Sequence, residues 1–317
     1  MRSRSLRPAI AAAALFLGAA LPALGAAPSG GVLHPGVIHS SAVKAGNPHH
    51  GGGSANLTYH GGVGGVGIEA SPKVYLVYWG SQWTGNDPSG EAAIQQSFFK
   101  GVGGSAWNNS VTQFCQGVAA GTVFCNGAGT AAGNPSGILA GAWADNASAA
   151  PSSPSQSQLA FEAVAAAGHF GNTSASANAS VQYVISTASH NSASGFGTQY
   201  CAWHSSTSSS FGNVAYTNFP YQTDAGAGCG ANFNGLGARA GITIVGGHEF
   251  GETETDQFPS GGWLDSNGKE NGDKCAWISS GQGASAKITL STGTFPVQSL
   301  WSNAFNSGAG GCVLSYP

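Results

Sequence analysis

Short runs of β-branched and aromatic residues recur along the chain and predict the strands of a sheet. Such side chains suit the pleated, buried surface of a strand. The first run, residues 72–79, stops at Gly80. The runs 199–204 and 213–219 enclose a serine-rich turn, which predicts that these two strands are antiparallel. The predicted strands are residues 72–79, 138–143, 181–185, 199–204, 213–219, 286–290 and 296–301.

Segments with apolar residues at helical spacing alternate with these strands. Asp87 and Pro88 precede the first segment, and both residue types favour a helix start. In the segment 157–167, the apolar residues Leu159 and Phe161 are expected to face inward. The predicted helices are residues 91–100, 106–114, 157–167 and 236–256.

The last predicted helix, residues 236–256, contains five glycines. Each glycine weakens a helix by roughly 1 kcal/mol relative to alanine. We therefore expect this helix to be buried, where glycine allows close backbone approach. The order of strands and helices predicts an α/β fold of three layers, with a mixed sheet, flanking helices and the last helix under the sheet's edge. Order is expected to begin near Leu57, so residues 57–317 would form one domain.

The composition is that of a folded domain that is rich in glycine and loops. Only 7% of the residues are charged, and 51 are glycine. Disorder usually comes with few aromatic residues or with a high net charge. This chain instead has 8 Trp, 8 Tyr and 15 Phe. We therefore expect a compact monomer with a neutral polar surface.

Residues 1–25 have the pattern of a secretory signal peptide. Arginines precede an apolar run, residues 9–20, that is short for a membrane span, and small residues precede Ala26. Residues 26–56 are rich in Gly, His, Pro and Ser and predict a linker or pro-segment. We expect a secreted protein, extracellular or periplasmic, that is free of the membrane after cleavage.

Cleavage would also change the charge balance. Three of the ten basic residues lie in the first segment, so 7 Lys and Arg would remain against 13 Asp and Glu, a formal charge of about −6. A net negative charge repels phosphate backbones, so no nucleic-acid partner is expected.

Six cysteines in an exported chain predict three disulfides. Six cysteines allow 15 pairings, and we expect neighbours along the chain to pair. No C-x-x-C spacing occurs, which disfavours a zinc ribbon or a redox motif. The expected disulfides, which would staple the domain, are Cys115–Cys125, Cys201–Cys229 and Cys275–Cys312.

Residues 246–275 hold seven of the chain's 13 acidic residues, together with His248. His248 and Glu252 are four residues apart, so on a helix both side chains share one face and can reach one metal ion. His-Glu-x-x-Glu is a variant of the zinc helix His-Glu-x-x-His, in which the glutamate beside the first histidine is the general base. That glutamate is Glu249 here. The structural alternative is a core histidine capped by Glu252.

The third metal ligand is expected in the loop that returns after the helix. Asp256 is excluded, because eight helical residues span ~12 Å along the axis. Glu270 and Asp273 are the candidates, and the choice between them stays open. The loop 265–273 also alternates oxygen ligands around a glycine, which allows a calcium site as an alternative. A hydrated acidic turn is the third interpretation.

Other residues with useful chemistry are spread along the chain. We expect His60, His190 and His204 to be structural or exposed, with a ligand role as the alternative. Tyr200 and Tyr216 are candidate donors to a transition state. No Gly-x-Ser-x-Gly motif occurs, which disfavours a serine hydrolase of the α/β type.

Several short motifs together resemble a known family. They are Gly-His-Glu-Phe-Gly-Glu-Thr at 247–253, Gly-Trp-x-Asp at 262–265, Glu-Asn-Gly-Asp-Lys-Cys at 270–275 and Leu-Thr-Tyr-His-Gly-Gly at 57–62. With these motifs, the chain resembles the phosphate-induced, EXORDIUM-like secreted proteins and their bacterial relatives, from about residue 57 to residue 315.

The resemblance implies a secreted protein with an HExxE helix and a downstream E-x-x-D-x-C element. Plant members of the family are associated with growth and the extracellular matrix, without a settled biochemical activity. The order of elements is also similar to that of the zincin metallopeptidases, in which a ligand follows the helix downstream. The residues that match the two elements are His248, Glu249, Glu252, Glu270, Asp273 and Cys275.

These features predict a secreted zinc endopeptidase that acts on polypeptides. His248 and Glu252 would bind Zn²⁺, with a third ligand from Asp273 or Glu270. Glu249 would take a proton from water and pass it to the leaving amine.

Two other hypotheses compete with the peptidase. One is a non-catalytic module that binds cell-wall or matrix glycans, with a structural Ca²⁺ in the loop 265–273. The supply of exposed aromatic side chains expected at Trp83, Trp107 and Trp143 supports it. The other is a glycoside hydrolase that uses two carboxylates of the cluster.

Overall fold

A computed structural model of the chain describes residues 37–39 and 56–316. The predicted signal peptide, residues 1–25, and most of the predicted linker, residues 26–56, lie outside the described residues. Within the described ranges, no helix is long and apolar enough to cross a membrane.

The described residues form a mixture of strands, α-helices and short 3₁₀ turns. The strands are β1 Val37–His39, β2 Thr58–Tyr59, β3 Lys73–Trp79, β4 Cys115–Gln116, β5 Thr130–Ala131, β6 Leu139–Asp145, β7 Val181–Thr187, β8 Tyr200–Ser209, β9 Gly212–Phe219, β10 Trp263–Leu264, β11 Ala286–Leu290, β12 Gly293–Val297, β13 Leu300–Ser302 and β14 Gly311–Val313. The α-helices are α1 Glu91–Val102, α2 Gln156–His169 and α3 Ala240–Thr255. The 3₁₀ helices are Ser81–Trp83, Asn108–Gln113, Gln222–Cys229, Phe233–Gly235, Asp273–Cys275 and Asn306–Gly308.

The main sheet is mixed, as the sequence predicts. Its strand order is β1-β8-β9-β7-β3-β6. The strands from β9 to β6 pair in parallel, whereas β8 is antiparallel to β9 and to β1. The four other sheets have two strands each. An α/β fold with a mixed sheet is therefore confirmed.

Side chains of β3 alternate between two cores, one on each face of the sheet. Val74, Leu76 and Tyr78 pack into the core that includes α1 and α3. Val77 and Trp79 pack into the core that includes α2. Helices thus flank the sheet on both faces, and α1 and α3 share a face.

Helix α2 begins with a capping box between Ser155 and Gln158, and it is slightly longer than predicted. The expectation that Phe161 faces inward is wrong, because this side chain is 57% exposed. The buried face instead includes the small Ala163 and the acidic Glu162. Alanine on that face lets the helix approach the sheet closely, and the bulky phenyl ring is left on the outside.

Helix α3 begins at Ala240, four residues after the predicted start. Gly237 has φ 108°, a left-handed conformation that a helix cannot contain. All residues of α3 are buried, as its glycines predict. At Gly251, an added Cβ would lie 2.9 Å from Cδ1 of Leu300. Glycine therefore allows β13 to pack directly on the helix backbone.

The three disulfides join the neighbours that the sequence predicts. They are Cys115–Cys125, Cys201–Cys229 and Cys275–Cys312. The last bond ties the segment after α3 to β14, which holds the returning loop in place. The second ties β8 to the 3₁₀ helix Gln222–Cys229.

Candidate metal centre

Three elements bring carboxylates and histidines together beside helix α3. The helix supplies His248, Glu249 and Glu252, which have 0–1% exposure. Strand β8 supplies His204, which is also 0% exposed. The returning loop supplies Glu270, which is fully buried, and Asp273, which is partly exposed.

His204 lies between carboxylates from the helix and the loop. Its Nδ1 is 3.4 Å from Oε2 of Glu249 and 3.7 Å from Oε2 of Glu252. Its Nε2 is 3.4 Å from Oε1 of Glu270. Donor atoms of His204, Glu252 and Glu270 all lie within 4.8 Å of one another, close enough to share a cation.

A second group forms on the other side of Glu252. Nε2 of His248 is 3.0 Å from Oε1 of Glu252, and the backbone N–H of Asp273 donates to the same oxygen at 2.8 Å. Donor atoms of His248, Glu252 and Asp273 also lie within 4.8 Å of one another. In the part of the chain that the structure describes, these are the two groups of this kind, and both contain Glu252.

Eight buried side-chain atoms in this cluster have no hydrogen bond to the described residues. Such atoms each cost about 1–3 kcal/mol when nothing satisfies them. Imidazole and carboxylate are the N and O ligands that zinc accepts. The donor set therefore fits a divalent metal. The unsatisfied atoms are both ring nitrogens of His204, Nε2 of His248, Oε2 of Glu252 and both carboxylate oxygens of Glu249 and Glu270.

Gln298 orients the ring of His248. The Gln298 amide donates through Nε2 to the carbonyl oxygens of Gly272 at 2.9 Å and Ser299 at 3.1 Å, which assigns Oε1 as its acceptor end. Nδ1 of His248 lies 3.1 Å from this Oε1 and must be the protonated nitrogen. In the neutral ring, Nε2 would then carry the lone pair and face Glu252, as a metal ligand requires.

Close contact between the loop and the helix depends on Gly272. An added Cβ there would lie 2.9 Å from both Oε1 of Glu252 and Nδ1 of His248. Asn271 docks the loop by donating to the carbonyl oxygen of Gly251 at 3.0 Å. A small residue at position 272 is therefore needed for the ligands to converge.

Burial makes the carboxyl groups of the cluster hard to ionise. Loss of hydration raises the pKa of Glu249 and of Glu270 above their ordinary value. Burial, together with the nearby carboxylate of Glu252, raises the pKa of Asp273 to about 7. Metal binding needs the ionised form of its ligands, so protons compete with a metal ion at Glu270 and Asp273.

The histidines respond in the opposite sense to burial, which by itself lowers their pKa. The carboxylates of Glu252, Glu249 and Asp273 together outweigh that effect and raise the pKa of His248 to about 9. Glu270 and Glu249 raise the pKa of His204 well above its ordinary value. Metal and protons thus compete for the same atoms, and acid conditions favour the protons.

Asp256 closes the carboxyl end of the helix, and it is in neither group. Its carboxylate accepts from the backbone N–H groups of Ser260 at 2.8 Å and Gly261 at 3.0 Å, and also from that of Gly262. Burial raises the pKa of Asp256 to about 6 despite these bonds. The sequence places it at the helix end, and it lies there.

The predicted calcium loop is organised around Asp265 by protein groups. Its Oδ1 accepts from the backbone N–H groups of Asn267 at 2.8 Å and Lys269 at 3.0 Å. Its Oδ2 is 3.0 Å from Nζ of Lys274, which also lies 4.2 Å from the ring centre of Trp301. An ammonium group thus occupies the position where a calcium ion would pair with this carboxylate.

Two residues of the site were not among the expected ligands. His204 is buried and lies inside the cluster with both nitrogens unsatisfied, which fits the ligand role that the sequence left as the alternative. Gln298 belongs to no recognisable sequence motif. A histidine in an otherwise buried strand was the available signal for His204, but its closeness to α3 depends on sheet order.

Other candidates lie away from the cluster. His60 and His190 are exposed, as expected. Tyr200 and Tyr216 belong to the core on the opposite face of the sheet, so they cannot reach the cluster as donors. Oη of Tyr200 donates to the carbonyl oxygen of Ala193.

The three tryptophans that were expected to be exposed are buried or half-buried. Trp107 is 2% exposed, and its Nε1 donates to the carbonyl oxygen of Gln298 at 2.8 Å. Trp83 is half-buried and donates to Ser186. Trp143 is half-buried and stacks on His169, with ring centres 4.1 Å apart. The expected supply of exposed aromatic rings at these three positions is therefore wrong.

Comparison with protein-family models, with curated proteins and with solved structures finds no match to this chain. The resemblance to EXORDIUM-like proteins therefore stays a prediction from the motifs.

Proposed function

We propose that this protein is a secreted, metal-dependent hydrolase that cleaves peptide bonds and uses zinc. The observation that carries the proposal is the carboxylate of Glu249. Both of its oxygens are buried and unsatisfied, and Oε2 lies 3.4 Å from Nδ1 of His204 in the candidate ligand set. A carboxylate held without hydrogen bonds beside metal ligands is suited to accept a proton.

The ligands would come from the two groups that share Glu252. One group adds His204 and Glu270, and the other adds His248 and Asp273. A bound zinc ion supplies a Lewis acid that lowers the pKa of a coordinated water to about 7 and polarises a carbonyl oxygen.

The residues of the chain would handle the proton. Oε2 of Glu249 would accept a proton from the attacking water and return it to the leaving amine. Gln298 would select the neutral tautomer of His248 that leaves the lone pair on Nε2, through its contact with Nδ1. The buried side chains around α3 would exclude bulk water from the site. Each electrostatic contact there would be stronger as a result.

The fold supports a zincin-like interpretation in outline. An HExxE helix packs beside a mixed sheet, and a downstream loop adds carboxylates. Three disulfides are compatible with a secreted protein. The glycan-binding module has less support, since Lys274 occupies the cation position at Asp265.

The test compares casein hydrolysis by the wild type with that by Glu249→Gln, with and without 1,10-phenanthroline. Loss of a general base lowers the rate by about 10²–10⁴-fold. We expect that loss in Glu249→Gln, with zinc still bound at wild-type stoichiometry. Phenanthroline should abolish the wild-type activity.

Glu254→Gln is the matched control. Glu254 lies on the same helix, is 0% exposed and accepts from Nδ2 of Asn108 at 3.0 Å, outside both ligand groups. Glutamine keeps that acceptor, so activity should be retained. If Glu249→Gln were as active as Glu254→Gln, the proposed mechanism would be wrong.

A further inference from the structure

We infer that the site holds two divalent cations at once, bridged by the carboxylate of Glu252. One ion would lie with His204 and Glu270, and the other with His248 and Asp273. The inference concerns the same site as the proposed hydrolase, and its catalytic meaning rests on that proposal. The number of metal ions bound per chain does not depend on that proposal.

The two oxygens of Glu252 face different partners. Oε1 is 3.0 Å from Nε2 of His248, whereas Oε2 is 3.7 Å from Nδ1 of His204. A carboxylate in this arrangement can bind one cation through each oxygen. Two-metal hydrolytic sites hold their ions about 3.5–4 Å apart, a separation that one bridging carboxylate can span.

A single ion does not account for both groups. Zinc binds nitrogen and oxygen at about 2.0–2.2 Å, so two ligands of one tetrahedral ion are only about 3.3–3.6 Å apart. The two histidines belong to different groups, and the groups share Glu252 alone. One ion in either group would leave the other histidine with an unsatisfied, buried nitrogen.

The test is the metal content of the purified mature protein after loading with Zn²⁺ and removal of free ion. We expect two zinc ions per chain by mass spectrometry of the metal. Titration of metal-free protein with Co²⁺ should show visible absorption that rises until two equivalents are bound. These measurements need no variant, so they test the inference even where a substitution prevents folding.

Variants assign each ion to its ligands. His204→Ala and His248→Ala should each lose one ion and keep the other, whereas Glu252→Gln should weaken both by more than about 10-fold. Glu254→Gln, the buried control on the same helix, should keep two. Circular dichroism and thermal unfolding would check that each variant folds.

One ion per chain, lost in both histidine variants, would overturn the inference. A second ion that survives in both would be adventitious and would also overturn it. Two ions without casein hydrolysis would refute the peptidase and leave this inference standing. Casein hydrolysis with one ion per chain would overturn this inference and leave the peptidase proposal standing.

Discussion

Replacement of Gln298 by methionine should weaken metal binding through His248 without removing any ligand. Gln298 is 0% exposed and contacts Nδ1 of His248 at 3.1 Å. Methionine has a similar length, but it supplies neither the acceptor for Nδ1–H nor the donor to the carbonyl oxygens of Gly272 and Ser299. The imidazole would then be free to change tautomer and orientation.

The magnitude follows from the role of such partners in metal sites. Loss of a hydrogen bond that orients a metal-bound histidine typically costs 10–100-fold in affinity. We expect a loss of that size in Gln298→Met, equivalent to about 1.4–2.7 kcal/mol. Folding stability should also fall by about 1–3 kcal/mol for each buried polar group left unsatisfied.

The assay is competition for zinc between the protein and a chromophoric chelator, combined with thermal unfolding of the metal-free protein. Gln257→Met is the matched control. Gln257 is also 0% exposed, and its Nε2 donates to the carbonyl oxygens of Asn178 at 3.0 Å and Val181 at 3.2 Å. It is equally buried and hydrogen-bonded, but it contacts no histidine of the site.

Both variants should lose stability, and only Gln298→Met should lose zinc affinity. Equal zinc affinity in Gln298→Met and the wild type would refute the role assigned to Gln298. Equal losses of affinity in the two variants would show that general destabilisation, and not the orientation of His248, is responsible.

Two further predictions concern Gly272 in the returning loop and Glu162 in the core on the other face of the sheet. Gly272→Ala should lower zinc affinity at least about 10-fold, because its Cβ would lie 2.9 Å from Glu252 and His248; unchanged affinity in the chelator assay would contradict this. Burial and the carboxylate of Asp145 raise the pKa of Glu162 from 4.5 to about 8. Between these values the folded state holds a proton that the unfolded state releases. The stability of the fold therefore falls as the pH rises from 4.5 to 8. Glu162→Gln should therefore raise the melting temperature relative to wild type at pH 8.5 but not at pH 4.5, and an equal difference at both would count against it.

Local sequence patterns were sufficient for the three α-helices and for five of the six strands of the main sheet. The run that became β3 and the pair that became β8 and β9 are strands, because β-branched and aromatic residues suit a buried, pleated surface. Disulfides between neighbouring cysteines also agree with the expectation. The buried face of α2 was wrong at Phe161, since periodicity alone does not say whether small or large residues meet the sheet.

Within the site, the sequence determined what depends on spacing along one helix. His248 and Glu252 share a face of α3 because four residues make about one turn, and their contact at 3.0 Å follows from that. The position of Glu249 next to His248 is likewise set by the sequence of the helix. The acidic character of the returning loop is visible in the composition.

Only the tertiary structure decided which residues from distant segments complete the site. His204 reaches the cluster because β8 packs beside α3, and Gln298 contacts His248 across 50 residues of sequence. The loop places Asp273 with His248 and Glu270 with His204, a division that sequence left open. Contacts between distant segments depend on strand order and loop docking, and neither is encoded in the spacing of nearby residues.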